Sequence, residues 1–237
     1  MINISIADLP IAIDNRYPYT EELCLSYRTE RPPLFTVRAS DAAIAEEREI
    51  SGITAPPYLE STVVYREIAR RLPQYDAMVF HGAVIALGGR AYAFTARSGT
   101  GKTTHLRLWL SEFGEEVHIL NGDKPILRCM DGVWCAAGTP WRGKEKYGVN
   151  EILPLAGIVF LERGQENRIS PLAAQEAFPQ MYGQCFWPED EAQLDRALSL
   201  TESVLESVPL YRLACNMAPE AAHVARAGIE ATHAAEK

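Results

Sequence analysis

The sequence predicts an α/β fold: a mixed sheet flanked by helices, preceded by a small irregular N-terminal region. Three observations predict it. Apolar strand-like runs crowd the middle of the chain, and helical patterns sit on either side of them. Turn pairs at Gly88-Gly89 and Asp131-Gly132 join neighbouring runs into hairpins, so part of the sheet is antiparallel. Between residues 91 and 113 a strand, a glycine-rich loop and a helix follow one another, the unit from which α/β layers are built.

Composition sets the frame. The chain has 237 residues, 47% hydrophobic and 23% charged, enough apolar material for a core and a length that suits one large domain or one plus a small one. Its 31 acidic against 23 basic residues leave a net charge of −8, a field that repels nucleic-acid backbones and anionic membrane surfaces. No run of 18 apolar residues marks a membrane span, and the opening MINISIADLPIAI lacks the basic residue of a secretion signal. A cytoplasmic protein is expected. The five cysteines (Cys24, Cys129, Cys135, Cys185 and Cys215) are odd in number and form no C-x-x-C, so free thiols are expected.

The elements follow in order. Residues 1–75 hold seven prolines and read as a small unit packed on the rest, with short strands at 2–6 and 34–38 and a helix at 58–72 closed by Pro73. The remainder, 76–237, is the main domain. MVFHGAVIAL (78–87) and AYAFTA (91–96) read as paired strands. A helix starts near Lys102, presents Leu106, Leu108, Trp109, Leu110 and Phe113, and stops at Gly114. VHILN (117–121) is a strand, PILRCM and VWCAAG a hairpin, LAGIVFLER (155–163) a buried strand, and RISPL a short one. Pro188 with Glu189, Asp190 and Glu191 opens a helix to about Ser207; PLYRL is a strand; Pro219-Glu220 opens a last helix that frays towards Lys237.

Residues 96–103 carry the chemistry. They read Ala-Arg-Ser-Gly-Thr-Gly-Lys-Thr, one position away from G-x-x-x-x-G-K-[ST], with Ala96 where the first glycine belongs. Gly99 and Gly101 let the backbone turn its N–H groups inward as an anion nest, and the helix N-terminus adds partial positive charge. Lys102 brings a full charge to the β- and γ-phosphates, and the Thr103 hydroxyl, followed by Thr104, suits Mg²⁺. Asp123, after VHILNG, is placed by a right-handed crossover on a strand beside the loop strand, as a metal partner or as the base for an attacking hydroxyl. Extending the Gly88-Gly89 hairpin pairs 87 with 90, 84 with 93 and 81 with 96, which sets His81 against the first loop residue. On TPWRGKEKYG (139–148), Arg142 and Lys144 are candidates to clamp a phosphate or an acidic substrate. His105, His118, His223 and His233 show no ligand spacing and read as structural or surface residues.

His81-Gly82, a hairpin, Ser98-Gly99-Thr100-Gly101-Lys102-Thr103-Thr104, a helix and then Asp123 resemble the catalytic domain of HPr kinase/phosphorylase. SGTGKTT is also similar to the nucleotide loop of ATP-dependent phosphoenolpyruvate carboxykinase, of the same P-loop fold. The likeness covers about residues 78–163 and is closest to the HPr kinase-like proteins of bacteria, some encoded near peptide-maturation genes. It implies transfer of the ATP γ-phosphoryl to a seryl hydroxyl, with Ala96 to Thr104 on the nucleotide, Lys102 and Thr103 on phosphates and Mg²⁺, Asp123 matching the second of two adjacent family aspartates, one of which serves as base, and His81 near the reacting phosphate. Gly122 stands where the family has the first of two adjacent aspartates, and for the family's glutamate Glu145 and Glu151 are the candidates. The expected activity is an ATP- and Mg²⁺-dependent kinase on a protein or peptide hydroxyl. A small-molecule kinase on the same fold and a nucleotide-binding regulator without catalysis are the alternatives. A protein or peptide acceptor is the expected partner, and a homo-oligomer is open.

Overall fold

The computed structural model describes residues 1–235, with side chains as far as Thr232, so the fraying expected at Lys237 and the His233 side chain lie outside the described residues. The first 75 residues are more regular than their prolines suggest. Strands β1 (Ile2–Ile6) and β2 (Leu9–Ile13) form a hairpin, and β3 (Phe35–Val37) adds to β2 in parallel. Around them fold α1 (Pro18–Leu23), α2 (Asp41–Ser51) and α3 (Pro56–Ala69). Pro18 and Pro56 open helices, where a missing N–H costs nothing. The sequence reading missed β2, α1 and α2. Glu60 of α3 is fully buried; its carboxylate accepts the N–H groups of Arg16 at 2.6 Å and Tyr17 at 3.1 Å and so caps α1 from outside it.

The second sheet has nine strands. They are β4 (Ala77–Val79), β5 (Ala83–Leu87), β6 (Arg90–Thr95), β7 (Val117–Asn121), β8 (Ile126–Met130), β9 (Val133–Ala137), β10 (Ile152–Arg163), β11 (Arg168–Pro171) and β12 (Leu210–Cys215). The order is β4-β8-β9-β10-β6-β5-β7, with β12 on β10 and β11 on β12. β10 runs parallel to β6 and β12, and the other pairs are antiparallel, so the sheet is mixed. The helices flanking it are α4 (Lys102–Phe113), α5 (Ala174–Tyr182), α6 (Glu191–Ser207) and α7 (Glu220–Ala235).

Three expectations change. The single strand over 78–87 is two: β4 pairs with β8, whereas β5 pairs with β6 and β7. Between them the N–H groups of Phe80, His81 and Gly82 go to the carbonyls of Pro125, Gln184 and Asp123. A Cβ on Gly82 would stand 2.3 Å from the Phe80 ring, so only glycine fits this crossing. The hairpin keeps Leu87↔Arg90 and Val84↔Ala93 but ends at Ala83↔Phe94, and His81 has no ladder partner. Next, β7 does not lie beside β6, because β5 takes one edge of β6 and β10 the other. Last, the 191–207 helix starts after Pro188, at Glu191, capped by the Asp190 side chain, which accepts from the Gln193 N–H at 3.0 Å. α5, with Pro179 inside it, was also missed.

One apolar cluster joins Ile4, Ile11, Tyr27 and Val64 of the N-terminal layer to Ala77, Val79, Ile126 and Ala137 of the large sheet. Another packs α4 on β6 through Phe94, Leu106, Trp109 and Phe113. The five cysteines are free. Among the described residues no helix is long and apolar enough to cross a membrane.

Candidate functional site

The glycine loop sits where β6 ends and α4 begins. Gly99 and Gly101 take φ of +79° and +127°, in the region that glycine enters without strain. α4 starts at Lys102 with no side-chain cap, so its first-turn N–H groups keep their capacity for an anion. The helix is held rigidly: its buried face packs on Phe94, with ring centroids 5.0 Å from His105 and 5.7 Å from Trp109. The Lys102 Nζ donates to the Ala96 carbonyl at 2.8 Å; burial lowers its pKa, against the pull of Asp123. Arg163, at the end of β10, donates to the Gly99 carbonyl at 2.6 Å. The Ala96 methyl is buried in the β6–α4 cluster, which explains an alanine at that position. Ser98, Gly99, Gly101, Lys102, Thr103 and Thr104 face a cleft of about 1330 Å³, while Arg97 points to solvent.

Asp123 and His81 meet across this cleft. His81 Nε2 lies 3.4 Å from Asp123 Oδ1. Burial pushes the Asp123 carboxyl up, but the His81 hydrogen bond and the charges of Lys124, His81 and Lys102 outweigh it, and the net shift is downward. Asp123 is therefore ionised at neutral pH. Its backbone is fixed by Asn121, a fully buried residue that the sequence reading passed over. The Asn121 Oδ1 accepts the N–H groups of Asp123 at 2.9 Å and Lys124 at 2.7 Å, and its Nδ2 donates to the Thr139 carbonyl and hydroxyl, both at 3.1 Å. The signal was present as N-G-D after a strand, an Asx-turn composition.

Residues 138–150 form a strap over Asp123. The Gly122 N–H donates to the Tyr147 carbonyl at 3.0 Å, and Asn121 and Gly148 form an isolated bridge. A Cβ on Gly143 would be 2.9 Å from the Asp123 Cβ. A Cβ on Gly122 would meet the Arg142 carbonyl at 3.2 Å and the Tyr147 side chain at 3.4 Å. The strap thus crowds position 122, where a side chain would need its neighbours to give by a few tenths of an ångström. Of its two candidates, Lys144 faces the cleft, and Arg142 faces it while donating to the Gly148 carbonyl at 3.1 Å. Glu145 also lines the cleft, paired to Arg107 at 2.9 Å. Glu151 is away from it, paired to His118 at 2.6 Å.

The opposite wall comes from the N-terminal layer. Tyr58, Ser61, Thr62, Tyr65 and Arg66 of α3 lie on one helical stripe, i, i+3, i+4, i+7 and i+8, and all face the cleft. Tyr19, Glu22 and Leu23 of α1 continue the wall. None was singled out from sequence, where the same spacing reads as an ordinary amphipathic face. The cleft lining holds six basic side chains (Arg66, Lys102, Lys124, Arg142, Lys144 and Lys146) against three acidic ones (Glu22, Asp123 and Glu145), a positive cavity in a chain of net charge −8.

Among the described residues no group of three or more His, Cys, Asp or Glu is arranged to cage a metal. Of the candidate ligands, the cleft holds the Asp123 carboxylate and the Thr103 hydroxyl. That set fits Mg²⁺, which takes one or two protein oxygens and completes its shell with water and phosphate.

No protein-family model matches the chain, and no curated protein sequence matches it. Among solved structures it is similar to the Hpr(Ser) kinase/phosphatase from Coxiella burnetii, at 9% identity and a TM-score of 0.37, over 67% of this chain and 96% of that one.

Proposed function

We propose that the protein is an ATP- and Mg²⁺-dependent kinase that moves the γ-phosphoryl group to a hydroxyl of a protein or peptide. The observation that carries the reading is the convergence, on one cleft, of an uncapped helix N-terminus behind a glycine loop, a half-buried lysine and an ionised aspartate bonded to histidine. The resemblance of residues 78–163 points the same way. The Mg²⁺-bound triphosphate supplies the electrophilic phosphorus and a stabilised leaving group. The loop amides and Lys102 hold and neutralise its phosphate oxygens, with Lys102 exchanging the Ala96 carbonyl for phosphate. Asp123 orients the acceptor hydroxyl and takes its proton as the new P–O bond forms and the β–γ bridge breaks. His81, 3.4 Å from Asp123, fixes the carboxylate beside the transferring group. Thr103 and Asp123 are the residues that would hold the metal.

A second reading, a nucleotide-binding regulator, is favoured by one observation: Gly122 leaves a single carboxylate under a closed strap. Incubation with labelled ATP, a bacterial lysate and a metabolite panel separates the two. Label on a polypeptide is expected. Nucleotide binding without label on any acceptor would favour the regulator.

A further inference from the structure

The cleft is larger than its nucleotide needs. Single small-molecule sites occupy roughly 300–1,000 Å³, and this one measures about 1330 Å³. The glycine loop accounts for one end. The other end, against α1 and α3, has no role in holding phosphates.

We propose that the α3 stripe and the rim of α1 form the acceptor-binding wall, and that it takes an acidic polypeptide segment with the target hydroxyl directed at Asp123. The inference rests on the kinase reading for its direction and on the wall's own chemistry for its ligand class. Charge gives the sign. Of the three acids in the cleft, Asp123 is engaged by His81 and Glu145 by Arg107, and the third, Glu22 on the α1 rim, is outnumbered by Lys144 and Lys146. Lys144 and Lys146 make no ion pair among the described residues and stand exposed on the strap facing the wall.

Polar satisfaction gives the class. A metabolite site needs several unspent polar groups converging on the ligand. On α3 three of them are already engaged: the Ser61 carbonyl and hydroxyl accept from Trp141 Nε1 at 3.2 and 3.1 Å, Thr62 donates to the Tyr58 carbonyl at 3.1 Å, and Arg66 pairs with Glu47 at 2.9 Å. What this end of the cleft still offers are the aromatic faces of the wall and the flexible lysines of the strap. Tyr19 and Tyr58, 39% and 47% exposed, stand 6.4 Å apart as a tilted pair at the lip. Exposed tyrosines of this kind are enriched where polypeptides bind. The wall also reaches the reacting end: burial, aided by the negative charge of Asp123, pushes the Tyr65 hydroxyl up.

The test uses fluorescein-labelled, serine-centred peptide pools with Asp/Glu, neutral or Lys/Arg flanks. Binding is read by anisotropy without nucleotide, and transfer is read with labelled ATP. The acidic pool should bind about tenfold or more tighter than the basic pool, and Tyr19→Ala/Tyr58→Ala should weaken it about tenfold, the loss expected for an aromatic anchor. Lys144→Glu should weaken it less and narrow the gap between pools. The Mg-ATP thermal shift should be the same in Tyr19→Ala/Tyr58→Ala as in the parent, which also shows that the double variant folds. Equal binding of the pools, or full binding by the double variant, would overturn the wall. Label on a metabolite and on no peptide would overturn it too. Should the acidic pool bind as expected while Mg-ATP gives no shift, the kinase reading falls and the wall stands.

Discussion

The glycine loop and the strap that faces it make one cleft by different means. The loop is local: β6, six loop residues and α4 follow one another, and Phe94, His105, Trp109 and Phe113, close in sequence, lock the helix to its strand. The strap is held from far away. Trp141 bonds Ser61, the Tyr27 hydroxyl bonds the Val149 carbonyl at 3.2 Å, and Asn150 bonds the Ser26 carbonyl at 3.0 Å. The N-terminal layer therefore shapes the strap side of the cleft, whereas the glycine loop is held between β6 and α4. Damage to one should leave a measurable signature in the other's absence.

The largest expected effect tests the local side. His105 is buried, its Nε2 accepts from Trp109 Nε1 at 2.9 Å, and burial lowers its pKa to about 4. The unfolded chain binds this proton near pH 6.5 and the folded chain resists it. Stability is thus full above about pH 6.5 and falls as pH drops towards 4, by roughly 3 kcal/mol. His105→Phe should flatten that acid limb in denaturant titrations at several pH values. Parallel pH profiles for the two proteins would show that the α4 face is not the anchor described.

Asp123→Asn joins the two sides. It keeps the shape and removes the charge, and transfer should fall by about a hundredfold, the scale of general-base catalysis. Turnover near that of the parent would leave the proton to the substrate or to Glu145. His81→Ala should lower transfer by about tenfold, consistent with loss of one charge-assisted hydrogen bond. Nucleotide affinity should stay within a few-fold. A lower melting temperature with unchanged turnover per folded molecule would make His81 a packing residue.

The smallest effect belongs to the strap. Trp141→Phe deletes the bond to Ser61 and keeps most of the ring contact with Tyr65, 5.2 Å away between centroids. Stability should drop by about 1 kcal/mol. Acceptor transfer should fall while the Mg-ATP shift is kept. An equal loss of both would mean that the strap supports the phosphate side as well.

The same contrast explains what could be read from the sequence. The β6–loop–α4 unit and the Gly88-Gly89 hairpin depend on neighbours in the chain, and their glycine spacing and apolar periods are visible in it. The break at His81 depends on Phe80 reaching Pro125 and on Gly82 lying against Phe94, contacts that no local pattern encodes. The place of β7 was misjudged because the crossover argument ignored that β5 already holds that edge of β6. The α3 stripe was hidden because a cleft-facing row has the same period as a core-facing one. Glu60 capping α1 across 44 residues is likewise invisible to a helix-start rule that looks only at the preceding residue.

The most direct test of the central claim, that residues 96–104 hold the phosphates of Mg-ATP, is a thermal-shift titration of the intact protein and of Lys102→Ala. At a ligand concentration of about a hundred times Kd, binding adds roughly 2.7 kcal/mol of stability, so the parent should melt distinctly higher. The variant should show no shift while melting normally without ligand. A folded parent protein with no shift at millimolar Mg-ATP, or a variant that shifts as the parent does, would contradict the claim.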